Sequence, residues 1–150
     1  MADSSHDISV LNSLISTTLD SVDGYREAAV DARNSRFASM FTQRAQERRA
    51  VVTDLQAQVR MLGGNPENDG TTLAGAHRMF LDLKAKVTGH DDQSIISEVE
   101  RGEDYLKTKY DSALADTYLS PATMVVVQTA YQSVREGHDQ MSALKHGMDM

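Results

Sequence analysis

The sequence predicts an all-α protein, a four-helix bundle with a short crossover helix between its second and third long helices. Large apolar residues recur at steps of three and four along four long stretches, the period of one helix face. Turn residues separate those stretches at Asn34-Ser35, Gly63-Gly64-Asn65-Pro66 and Ser120-Pro121. The 150 residues hold no repeat, linker or low-complexity tract, so they form one domain with room for a single core.

The first helix is expected over about residues 7–33, with Asp7 as its N-cap. Its stripe runs Ile8, Leu11, Ile15, Thr18, Val22, Tyr25, Ala29 and Ala32. The short turn at Asn34 makes an antiparallel hairpin with the second helix, about 35–62. That helix has the stripe Phe37, Phe41, Ala45, Arg48, Val52, Leu55, Val59 and Leu62. Gly63-Gly64 ends it with a left-handed residue, and Pro66 prevents a restart. The crossover helix is expected over about 72–88, with Leu73, Ala76, Phe80, Leu83 and Val87 on one face. Asp91 or Asp92 opens the third long helix, about 92–117, whose stripe is Ile96, Val99, Glu103, Leu106, Tyr110 and Ala113. Ser120 at the N-cap and Pro121 at the first helical position open the last, about 121–146. Its stripe is Met124, Val127, Tyr131, Val134, His138 and Met141.

Composition narrows the function classes. A net charge of −7 argues against a general nucleic-acid binder, which needs clustered Lys and Arg for phosphates. The absence of cysteine removes disulfides, thiolate metal sites and thiol nucleophiles. The longest aliphatic run, Met124 to Val127, is too short to cross a bilayer, and the polar start MADSSHD is unlike a signal peptide. A cytoplasmic protein without membrane or nucleic-acid partners is expected. Neither a nucleophile elbow nor a phosphate-cradling loop is present, so no catalytic residue is assigned.

Each long helix places something polar on or beside its apolar stripe: Thr18, Arg48, Glu103, and Arg135 with His138. Facing helices of a bundle build metal and cofactor sites in this way. The structural reading is a satisfied polar layer in which Glu103 pairs with an arginine, because a buried charge left alone is costly. The Glu98, Glu100, Glu103 and Asp104 group points in several directions on a helix and reads mostly as a solvated acidic face.

Leu62-Gly63-Gly64-Asn65-Pro66 at the end of a long second helix resembles ferritin-like proteins. Gly24-Tyr25-Arg26-Glu27-Ala28-Ala29, His77-Arg78, Leu83-Lys84 and Glu98-Val99-Glu100-Arg101-Gly102-Glu103-Asp104 narrow the resemblance. They are similar to a bacterial family of small ferritin-like bundles catalogued as a domain of unknown function, over roughly residues 8 to 115. Glu136-Gly137-His138 is similar to the last helix of bacterioferritin-type proteins. The resemblance implies a test, because di-iron relatives carry Glu on the first and third helices and Glu-x-x-His on the second and fourth. Ungapped offsets place those positions on Thr18, on Arg48 and Val51, on Glu98 or Glu103, and on Arg135 and His138. Two cations then stand where bridging carboxylates belong, and a guanidinium offers a metal no lone pair. The expectation is a non-enzymatic bundle, stress-associated by resemblance and homodimeric, without metal or cofactor. The alternatives are an iron oxidase or metal store using Glu47, Glu98, Glu103 and His138, and an acidic adaptor that docks a basic protein.

Overall fold

The computed structural model of the protein describes residues 4–69 and 92–148. They form four long helices: α1 (Ser5–Asp31), α2 (Ser35–Met61), α3 (Asp92–Leu114) and α4 (Pro121–Met148). The expected crossover helix at 72–88 lies outside the described residues.

Side-chain bonds between helices give the topology. At one end of α1, His6 meets Asp116 just past the end of α3, and further along Thr18 meets Tyr110, so these helices run antiparallel. Arg44 with Gln140 and Gln58 with Thr123 make α2 and α4 antiparallel as well. α2 and α3 therefore share a direction across the diagonal, as in a bundle with one long crossover. The chain starts its return before the described residues end. Asn12 accepts from the Glu67 N–H and donates to the Asn65 carbonyl, and Ser16 donates to the Asp69 carbonyl.

The helix ends obey local chemistry. Asn34 caps α2, its side-chain oxygen accepting from the Arg36 N–H at 2.9 Å. At the other end Gly63 takes φ +84°; its N–H bonds the Arg60 carbonyl and the Gly64 N–H reaches back to Val59. This is the Schellman closure expected of a glycine there. Asp92 accepts from the backbone N–H groups of Arg33 and Asn34, tying the start of α3 to the α1–α2 turn.

Asp7 corrects an expectation. It does not cap α1, which begins at Ser5 with Asp7 already in its first turn. It is buried and caps α4 from across the bundle, accepting from Ser120 Oγ at 2.6 Å and Thr123 Oγ1 at 2.8 Å. Burial pushes its carboxyl pKa up, but the Ser120 and Thr123 hydrogen bonds outweigh it and hold the group below the usual value. A carboxylate beside the positive end of α4 is also favoured by that helix's dipole.

The apolar core is divided. One cluster holds Leu11 to Leu19 of α1, Val51 to Val59 of α2, Leu106 to Ala113 of α3 and Val127 to Val134 of α4. The other holds Tyr25 and Ala28, Phe37 to Ala45, Ile95 to Val99, and Met141. Each helix has a gap between its contributions to the two clusters, and the gaps coincide at Ser21, Arg48, Glu103 and Gly137.

Candidate functional site

Those four residues form a layer across the waist of the bundle, with Arg48 at its centre. Its guanidinium is fully buried and meets the equally buried Glu103 in a two-pronged contact, Nη1 to Oε1 at 2.8 Å and Nη2 to Oε2 at 2.5 Å. Parallel N–H···O bonds of this kind are the strong form of the arginine–carboxylate pair. Nη1 also donates to Ser21 Oγ at 2.7 Å, and the guanidinium carbon lies 5.6 Å from the Tyr25 ring centre. Both are α1 residues that help replace the water Arg48 has lost.

Glycine on α4 makes the room. A methyl group at Gly137 would stand 2.8 Å from Glu103 Oε2 and closer still to Arg48 Nη2. Neither head can retreat, because each is held by the other. The helical penalty of a glycine, roughly 1 kcal/mol, is thus the cost of seating the ion pair against α4.

Electrostatics agree with the geometry. Burial alone would lower the arginine pKa, but the Glu103 charge more than offsets it, so Arg48 stays protonated. The Tyr25 hydroxyl is buried without a hydrogen bond and lies within reach of the Glu103 charge. Burial, reinforced by that carboxylate, pushes the Tyr25 pKa well above 10.0. Arg48 Nε is likewise buried without a partner. One turn below, Thr18 donates to the Leu14 carbonyl at 2.6 Å and meets Tyr110 Oη at 2.8 Å. With the threonine proton on Leu14, Tyr110 is the donor; burial raises its pKa to about 12.

The residues singled out from the sequence separate into two groups. Arg48 and Glu103 are in the layer, and Thr18 lies beside it. Arg135 and His138 are not in it. Arg135 is on the surface, 68% exposed, 3.9 Å from Asp139. His138 sits on the outer seam of α3 and α4, with Nε2 2.5 Å from Asp104 and Nδ1 3.2 Å from Asp139. The expected stripe favoured the bulkier side chains, whereas the buried line is Thr123, Val127, Ala130, Val134, Gly137 and Met141. Small residues face inward there because Arg48 and Glu103 fill the middle of the bundle. Burial lowers the His138 pKa, but hydrogen bonds to Asp139 and Asp104 outweigh that and raise it above 6.5.

The alternative ligand set is dispersed. Glu47 accepts from Arg44 and from Ser133 on α4; Glu98 accepts from Arg101 one turn away; Glu103 is taken by Arg48; His138 by two aspartates. Among the described residues no three His, Asp or Glu side chains are grouped so that they could hold a metal ion. The inward i, i+3 pairs are Arg48 with Val51 on α2 and Val134 with Gly137 on α4. Two iron ions need carboxylates and imidazoles there, and the layer offers one carboxylate, already engaged, beside a cation. Among the described residues, those of the layer do not supply the ligand set that a di-iron centre takes.

Sequence reasoning missed Ser21 and the Asp7–Ser120–Thr123 cluster. Gly137 had a signal, since a glycine inside a helix asks for a neighbour that needs its space. Asp7 had none, because its partners lie more than a hundred residues away.

Comparisons place the chain among known folds. It is similar to a dodecameric thioferritin, the bacterioferritin-related protein of Bacteroides fragilis, with a TM-score of 0.77 and 16% identity over 98% of this chain and 88% of that one. It is also similar to a conserved hypothetical protein, rv2844, of Mycobacterium tuberculosis, with a TM-score of 0.74 and 11% identity over 95% of this chain and 99% of that one. No curated protein matches. The fold is a ferritin-like four-helix bundle. Residues 6–116 match the family described as Domain of unknown function (DUF2383), and the chain belongs to that family.

Proposed function

We propose that this chain is a non-enzymatic ferritin-like bundle in which the di-iron site has given way to a buried salt-bridge layer. The observation that carries the reading is the Arg48–Glu103 pair, fully buried and seated against Gly137. It occupies the level of the bundle where inward-facing ligands would be needed, and it leaves no carboxylate there uncommitted. We further propose self-association as a homodimer in the cytoplasm and a role under stress. Self-association draws support from the bundle's exposed apolar side chains Val30, Met61, Tyr118 and Val125. It also draws on the dodecameric assembly of the thioferritin. The cytoplasmic assignment rests on composition, and no described helix is long and apolar enough to cross a membrane.

The test is ferrous iron added anaerobically, followed by oxygen. The reading predicts an oxidation rate and near-ultraviolet absorbance no greater than in protein-free buffer. Catalysed oxidation that disappears in His138→Ala would establish the metal-oxidase alternative instead.

A further inference from the structure

A groove lined only by α1 and α2 lies apart from the central layer and encloses about 470 Å³. That is within the roughly 300–1,000 Å³ typical of small-molecule sites. Its apolar lining is Ala29, the buried Ala45 and Val30, which is 77% exposed. Two arginines also line it, Arg26 from α1 and Arg49 from α2. Arg44, Arg48, Arg101 and Arg135 all have carboxylate partners. Arg26 and Arg49 have none among the described residues, and no acidic side chain lines the groove. This pairing of free cations is unexpected in a chain of net charge −7, where carboxylates outnumber cations.

The remaining lining has the same bias. Gln46 brings an amide without a hydrogen bond of its own among the described residues. The Thr42 hydroxyl proton is already on the Ala38 carbonyl. Two arginines and an amide thus line a site with few acceptors, and each guanidinium carries five N–H donors. A ligand that satisfies them must bring its own negative oxygens, and the apolar lining rewards an apolar body behind that head.

We propose that this groove binds a small amphipathic anion, a carboxylate or phosphate head on an apolar body of several carbons. Both heads match a guanidinium fork. The groove draws on neither Arg48 nor Glu103, so it stands independently of the ion-pair layer, and it shares only Val30 with the apolar side chains cited for self-association.

The experiment is a calorimetric titration of the full chain with hexyl phosphate, paralleled by amide chemical shifts. Saturable binding is expected, with shifts centred on Ala29, Val30, Ala45 and Gln46. Arg26→Glu and Arg49→Glu should each weaken it at least about tenfold, the loss of one charge-assisted contact. Arg60→Glu makes the same charge change at the far end of α2 and should leave binding unaltered. All three side chains are exposed, so melting curves should coincide with that of the parent. Hexanoate binding at the same residues supports the site and identifies the head it prefers. The proposal is overturned if inorganic phosphate binds as tightly as hexyl phosphate, if the Arg26 and Arg49 variants bind normally, or if phosphatidate vesicles capture the protein while free hexyl phosphate does not bind.

Discussion

Replacing Glu103 with alanine strands the Arg48 guanidinium in the middle of the bundle. It cannot escape by losing its proton, because burial alone does not bring an arginine pKa near neutrality. It cannot reach solvent either, since it is fully buried between two apolar clusters. Among the described residues, Ser21 would remain as the one side-chain acceptor at Nη1. Removing one partner of a buried pair costs about 3–5 kcal/mol. At about 2–4 °C per kcal/mol for a chain this size, melting should fall by ~6–20 °C. The same physics gives the opposite outcome when both partners go. Arg48→Met with Glu103→Leu removes two desolvated charges and fills the space with carbon, which in comparable pairs is neutral or stabilising by about 1–4 kcal/mol. Thermal and urea unfolding by circular dichroism on the parent, Arg48→Met, Glu103→Leu and their double variant give the coupling directly, with Glu103→Ala measured beside them. A Glu103→Ala protein that melts with the parent, or a double variant less stable than Glu103→Ala, would refute the account of the layer.

Three further outcomes follow from the same geometry. Gly137→Ala should destabilise the parent by about 1–3 kcal/mol through overpacking, yet become neutral or stabilising by up to about 1 kcal/mol in the Arg48→Met/Glu103→Leu background, where only the helical gain remains; urea midpoints would show the change of sign. Asp7→Asn should cost about 1–3 kcal/mol at neutral pH by weakening the bonds from Ser120 and Thr123. Because the folded pKa of Asp7 is depressed, that difference is present above the unfolded value near 3.9 and disappears as pH falls through the folded one; melting curves at pH 7 and at acid pH test it. His138 runs the other way: its folded pKa is raised, so its pairing with Asp104 and Asp139 stabilises fully below the ordinary 6.5 and fades as pH rises through the folded value. After screening at a partly exposed site this amounts to about 0.3–1 kcal/mol, and His138→Gln should flatten the slope of stability between pH 6 and 8.

Much of the architecture was legible before any coordinates. The period of Phe37, Phe41, Ala45, Val52, Leu55 and Val59 and the Gly63 stop are local signals, and local signals set helices. A contact between Glu103 and an arginine was also legible, since a charge on an apolar stripe has to find its opposite, but Arg48 and Arg135 were both open as the partner. Its membership was harder to read. Arg135 and His138 drew attention as large polar groups near the α4 stripe, while the inward positions belong to Ala130 and Gly137. Reading hydrophobic bulk misleads on a helix whose neighbours supply the volume. The capping of α4 by Asp7 could not be read at all, because a carboxylate near a helix start looks like that helix's own cap. The groove lined by Arg26 and Arg49 was equally hidden. Only the antiparallel pairing of α1 with α2 brings those residues together, and the motif that holds Arg26 says nothing of Arg49.

The central claim is that the waist of this ferritin-like bundle holds an ion pair where a metal centre would need ligands. Elemental analysis of untagged protein from iron-replete cells, repeated after anaerobic loading with ferrous iron and desalting, tests it most directly. The account predicts no stoichiometric transition metal in either sample. Iron or another transition metal at one or two equivalents, retained by the parent and lost in Glu103→Ala or His138→Ala, would contradict it.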